Sequence, residues 1–113
     1  MAFHHWGFIY LGSSSQDRPL EPIVIADGGL TTTIVAVSER DAAIAAAVEL
    51  VAGGAQLVEL CGAFGPGIAA QVIQAVGEGV PVGSVSYGVE SIPAMAALFA
   101  PNSPSAAVAA PPE

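Results

Sequence analysis

The chain has 113 residues and a formal charge of −8, from ten acidic side chains set against only Arg18 and Arg40, with no lysine. That length holds one domain; its acidity repels phosphate backbones and builds no polybasic membrane patch, so neither nucleic acid nor a membrane surface is an expected partner. Without lysine there is no Schiff base, no pyridoxal phosphate anchor and no Walker-type phosphate site.

Cys61 is the sole cysteine. An intrachain disulfide and a thiolate metal cluster within one chain are thereby ruled out, and a reducing cytoplasm fits. The opening residues, Met1-Ala2-Phe3-His4-His5-Trp6, lack the basic start and long apolar core of a secretory leader. His4 and His5 are adjacent, so on a strand they point to opposite faces, and no metal site is expected there.

Taken in order, Gly7 to Leu11 is an apolar run that reads as a first, central strand, because both of its faces carry large side chains. The polar, proline-punctuated segment from Gly12 to Pro22 is a loop with Arg18 as its one cation, a candidate binding residue if the loop leaves the functional rim. Ile23–Ala26 and Leu30–Val37 flank Asp27-Gly28-Gly29 and read as a hairpin, with the first arm at an edge because Pro22 cannot donate to a ladder. Ser38-Glu39-Arg40-Asp41 has capping-box spacing. A helix is expected to follow, with Ile44, Ala47, Val48 and Val51 on its apolar face and Gly53-Gly54 at its end.

Ala55 to Cys61 is short, apolar at most positions and bounded by glycines, which predicts a buried strand. With period 2, Leu57, Glu59 and Cys61 share a face, so Glu59 is expected to point where core residues point. A carboxylate there loses hydration and must be paired, hydrogen-bonded or raised in pKa, and a raised pKa suits a general acid or base. The bland alternative is a rim carboxylate that reaches water or backbone amides.

Gly62-Ala63-Phe64-Gly65-Pro66-Gly67 then breaks into a helix over 67–76, with Pro66 near its first turn. Such a turn leaves backbone N–H groups for a carboxylate, a phosphate or an oxyanion. The glycine order departs from the dinucleotide pattern, and no cofactor is expected. A strand over 80–87 and a helix from Ser91 to Phe99 complete the domain. The prolines at 93, 101, 104, 111 and 112 argue against a membrane span in the uncharged stretch from Ser91 to Pro112.

Strand, helix, strand, helix, strand makes two crossover units. The pattern predicts a single α/β domain over residues 1–100, with a mixed, mainly parallel sheet of four to five strands and about three helices. Residues 101–113 are expected to form an Ala/Pro-rich flexible tail. Ligands of such sheets sit at the carboxyl ends of the strands. That rim gathers Glu59, Cys61, Gly62, Phe64, Gly65 and Gly67, with Ser38, Ser86 and Tyr87, and Tyr10 if the first strand runs the same way.

Phe8-Ile9-Tyr10-Leu11, Thr33-Ile34-Val35-Ala36-Val37, Val58-Glu59-Leu60-Cys61-Gly62-Ala63-Phe64-Gly65-Pro66 and Val80-Pro81-Val82-Gly83 resemble the blocks of a small bacterial family of unknown function. The resemblance spans roughly residues 3 to 87 and implies a compact α/β fold with little about activity. Ala63 stands where a further glycine is expected, and Ser86-Tyr87-Gly88 where Arg-Tyr-Asp is usual.

The expected function is a small-molecule enzyme that works by cofactor-independent acid/base chemistry, of isomerase, lyase or cyclase type, on a small, largely apolar substrate. Glu59 is the acid or base, Tyr10 and Tyr87 donate hydrogen bonds, and amides from Gly65 to Ile68 hold an oxyanion. The alternatives are a non-catalytic ligand-binding or assembly module, and a carrier of an apolar ligand. Apolar residues make up 53% of the chain, more than one small core hides, which points to a homo-oligomer.

Overall fold

The structure, a computed structural model, describes residues 2–12 and 21–101. The loop that carries Arg18 and the tail beyond Pro101 lie outside the described residues. Apolar runs separated by glycine turns give five strands: β1 (His5–Leu11), β2 (Ile23–Asp27), β3 (Leu30–Val37), β4 (Val58–Leu60) and β5 (Val82–Ser84). The helices are α1 (Ala42–Ala52), α2 (Gly65–Val76) and α3 (Ile92–Phe99), the last entered through a 3₁₀ turn at Val89–Ser91.

All strands join one sheet in the order β2-β3-β1-β4-β5. β1 runs parallel to β3 and β4, β4 runs parallel to β5, and β2 is antiparallel to β3. This is the mixed, mainly parallel α/β architecture that the sequence pattern predicts, with β1 in the middle and β2 at an edge. Gly28 and Gly29 turn the hairpin at φ 57° and 90°, the positive values that a two-residue turn with the right twist demands of both central residues.

Both crossovers, β3-α1-β4 and β4-α2-β5, step across the sheet in one direction. Right-handed connections taken in one direction lie on one face, so α1 and α2 share a side. Beneath them Ile9, Val58, Leu60 and Val72 are fully buried, joined by Ala43, Ala47, Leu50 and Phe64. Gly7 is the point of closest approach: a β-carbon there would stand 2.7 Å from the Leu50 side chain.

The opposite face carries Trp6, Phe8 and Tyr10 of β1, Ile34 of β3 and Glu59 of β4, since Phe8 pairs with both Ile34 and Glu59. Trp6 and Phe8 meet edge to face with ring centroids 6.4 Å apart. No described helix covers them.

Three local expectations are corrected. The capping box does not form: α1 begins at Ala42 with Asp41 as its N-cap residue and no side-chain cap bond, because Glu39, Arg40 and Asp41 already form a turn whose carbonyls accept from Ala42, Ala43 and Ile44. The buried stripe of α1 is Ala43, Ala47 and Leu50, rotated from the predicted one, and Val48 is exposed. Small alanines let α1 approach the sheet closely, so it buries its least bulky face. The regular part of β4 is shorter than 55–61, although ladder bonds continue on both sides, from Gln56 N to His5 O at 2.8 Å and from Cys61 N to Ile9 O at 3.0 Å.

The side chain of Gln56 fastens the start of β1. Its Oε1 accepts from His4 N at 2.7 Å and His5 N at 3.0 Å, and its Nε2 donates to Ala2 O at 3.0 Å. α3 is different: it packs chiefly on its own 3₁₀ turn, and Ile92, Leu98 and Phe99 stay exposed.

Truncating a fully buried side chain removes contacts and leaves a cavity. Leu60→Ala is expected to lower unfolding free energy by about 2–5 kcal/mol, and Val48→Ala by no more than about 0.5 kcal/mol. Urea unfolding of the two variants beside the parent checks this.

Candidate functional site

Because β1, β3, β4 and β5 are parallel, their carboxyl ends share one rim. The order of connections reverses there: the chain leaves β1 toward β2 and β3, and leaves β4 in the opposite direction toward β5. Adjacent strands whose connections diverge are where ligands of open α/β sheets bind, above the strand ends; here the β3-α1-β4 crossover also passes over β1. This divergence falls between Tyr10 and Cys61.

The turn after β4 is built by glycines for separate reasons. Gly62 is pinned from outside, since a β-carbon would lie 3.0 Å from Cε2 of Tyr87 and 3.2 Å from the Val85 carbonyl. Gly65 has φ 77°, a left-handed value that a side chain resists. Gly67 has neither constraint: a β-carbon there would meet nothing within 4 Å, and no positive φ is required of it. Among the described residues nothing gives glycine at 67 a role in the fold, and it leaves the N-terminus of α2 without a side chain over it. α2 starts with Phe64 as N-cap residue and no side-chain cap bond, so the orphan amides of its first turn face that opening.

Arg40 is a contributor that the residue pattern alone does not single out. It is the only Lys or Arg among the described residues, it sits in the β3–α1 connection, and its Nε donates to the Ala63 carbonyl at 3.0 Å. One of its five N–H donors is thus used, and the guanidinium is held beside the turn that opens α2. The available signal was charge scarcity: one of two cations in the chain follows directly on a strand that ends at the rim.

The predicted residues separate into two groups. Cys61, half-buried, and Gly62, Gly65 and Gly67 line the turn after β4, Tyr87 lies against Gly62, and Ser38 and Ser86 are exposed at the same rim. Phe64 is 4% exposed and belongs to the core under α1 and α2, so it supports the turn from below. Glu59 and Tyr10 lie on the uncovered sheet face, on neighbouring strands one row apart, about 7–8 Å between their α-carbons. Arg18 lies outside the described residues.

Glu59 is exposed, in contrast to the expectation that it points into the core. The period was right: Glu59 does lie opposite Val58 and Leu60. Only their face carries helices, so the face of Glu59 opens to solvent. Its Cγ would lie 3.6 Å from a β-carbon at Gly83 of β5, and this absent side chain gives the carboxylate room across the strand. His5, at the start of β1, is at the far rim from Cys61 and bonds Thr33 Oγ1 at 3.0 Å. No group of three or more His, Cys, Asp or Glu able to hold a metal occurs among the described residues.

A second, shallow depression of about 470 Å³ lies along α2, lined by Ala70, Ile73, Gln74, Gly77 and Glu78. No described helix is long and apolar enough to cross a membrane.

The class defined by these features is a small α/β domain with helices on one side of a mainly parallel sheet and a glycine turn at the strand divergence. The chain belongs to a family of unknown function, DUF6506, whose sequence profile it matches over residues 4–100. That span takes in the whole sheet, all three helices and the glycine turn. No curated protein and no solved structure matches the chain.

Gly62→Ala is expected to push the Tyr87 ring away and to cost about 1–3 kcal/mol, since the Val85 carbonyl cannot yield as a side-chain tip can. The check is a denaturation curve together with the ring resonances of Tyr87 in the variant and the parent.

Proposed function

We propose that this protein is an enzyme for a small molecule, working by proton transfer without an organic cofactor, with Glu59 as acid or base and Tyr10 as the neighbouring hydrogen-bond donor. The observation that carries this reading is the position of Glu59, the one carboxylate among Trp6, Phe8, Tyr10 and Ile34 at the middle of the uncovered sheet face. A carboxylate in that setting contributes nothing to the fold, since no described partner bonds it and an apolar residue would suit its neighbours better. A small, largely apolar substrate of the isomerase, lyase or cyclase type would lie over the aromatic strand, in a cytoplasmic protein.

A second reading, a binding protein without chemistry, is favoured by the other half of the rim. The N-terminus of α2, the opening above Gly67 and the Arg40 guanidinium suit a carboxylate or similar oxyanion on the ligand.

Deuterium wash-in separates the two readings before any substrate is identified. Small carbonyl and carboxylic compounds are incubated with the protein in D₂O and followed by proton NMR. The enzyme reading expects exchange at a carbon next to a carbonyl in at least one compound, reduced about 10²–10⁴-fold in Glu59→Gln. That variant should keep its unfolding free energy within about 0.5 kcal/mol, because the side chain is exposed. Binding without exchange, unaffected by Glu59→Gln, would leave only the second reading.

Gly67→Ala tests the rim independently. Alanine is the better helix residue, so stability is expected to rise by about 0.5–1 kcal/mol, while affinity for any carboxylate ligand found in the screen falls. A variant that gains stability and loses no affinity removes the α2 terminus from the site.

A further inference from the structure

The geometry points to the uncovered sheet face as the interface of a two-fold homodimer, in which two sheets stack face to face and the Glu59 side chains of both copies enter one enclosed layer.

Two things ask for a cover on this face. Trp6, Phe8, Tyr10 and Ile34 are only half-buried, and the edge strand adds Ile23 at 55% and Ile25 at 48% exposure. Trp6, Phe8 and Tyr10 alternate with the buried Gly7 and Ile9, and Ile34 lies between the half-buried Thr33 and Val35, so on β1 and β3 the face is built as regularly as the covered one. A mainly parallel sheet ordinarily has both faces covered. Here α1 and α2 supply one layer.

Shape selects the occupant. The face has the broad surface of a sheet, which a second sheet fits better than a peptide or single helix seeking a groove. Two copies of one sheet have the same right-handed twist and pack aligned at about −30° with about 10 Å between them. A two-fold contact needs a patch that complements itself, and a flat apolar face of uniform twist does so.

Charge points the same way. Each copy carries −8, so copies repel except where charge is sparse. Within β1, β3, β4 and β5, Glu59 is the one charged residue on this face, and Asp27 stands at the hairpin corner.

The area sets the strength. The strands are unequal, with seven residues in β1, five in β2, eight in β3 and three each in β4 and β5, so at about 3.3 Å per residue and about 4.8 Å between strands the footprint is about 410 Å² per copy. Two such faces cover about 820 Å², short of the roughly 1,000 Å² of a stable interface, so the dimer is a weak one that dissociates on dilution. Glu59 and Tyr10 of each copy would then lie under the aromatic strand of the other, so the dimer covers the face on which a substrate would lie and the monomer is the form that turns over. The interface stands whether or not Glu59 moves protons.

The test uses the intact protein first. Trp6 is the only tryptophan and lies on this face. Sedimentation is expected to give twice 11.2 kDa at high protein concentration, with Trp6 emission resistant to acrylamide. On dilution the mass should halve and the quenching rise together. Ile34→Glu should yield a folded monomer, while Ile73→Glu on the outer side of α2 leaves the dimer intact.

A monomer at all concentrations overturns the proposal. So does a dimer in which Trp6 is as quenchable as in the dilute protein, or one that Phe99→Glu dissociates and Ile34→Glu does not. If Ile34→Glu fails to fold, the linked change in mass and Trp6 quenching still decides. Deuterium exchange that persists in the dilute monomer would retain the enzyme reading and separate it from the dimer.

Discussion

The direction of the two crossovers governs this molecule. From β3 over β1 to β4, and from β4 to β5, the chain moves the same way across the sheet, and the handedness of such connections leaves the helices one face to occupy. The close approach of α1 at Gly7, the burial of Ile9, Val58 and Leu60, and the exposure of Glu59 all descend from that choice. Moving β5 to the other side of β1 would carry α2 to the opposite face and bury Glu59.

The divergence of connections between β1 and β4 follows from the same path. It puts the glycine turn at the carboxyl rim beside β1, where Gly62 serves contact with Tyr87, Gly65 serves backbone conformation and Gly67, among the described residues, serves neither. Arg40 reaches this turn because β3 ends at the same rim as β4, with the helix they share folded back between them. Ligand chemistry and sheet chemistry therefore occupy adjoining surfaces of the protein, one above the strand ends and one across the strand faces.

Much of this was legible in the residues. Apolar runs bounded by glycine located β1, the hairpin, β4 and α2, and the alternation of strand and helix implied parallel pairing. Periodicity placed Glu59 opposite Val58 and Leu60. It could not say which of the two faces would be covered, because a strand's alternation is the same whichever side the helices take; the expectation of a buried Glu59 failed there. Ser38 and Asp41 have capping-box spacing, but spacing ignores the turn at Glu39–Asp41, which supplies carbonyls first. Phe64 looked like a ligand wall from its place in a glycine loop, and it packs in the core because a turn this tight directs one residue inward. Arg40 gave only a compositional hint, since its bond to a backbone carbonyl depends on the fold.

The first strand of the chain is the middle strand of the sheet. His5 is in register with Thr31, and Gly7 with Val58, so β1 waits through half the sequence for its second neighbour. Each pairing requires closing a long loop before any ladder bond forms, which slows folding and keeps apolar strand edges open meanwhile. During synthesis, the segment from Trp6 to Leu11 emerges before both of its neighbours and cannot be sealed until β4 has followed it. The local β2–β3 hairpin can form early and offer β1 its first edge. A protein organised this way is most exposed to wrong partners before it is complete, at the same strand whose outer face the finished sheet still leaves uncovered.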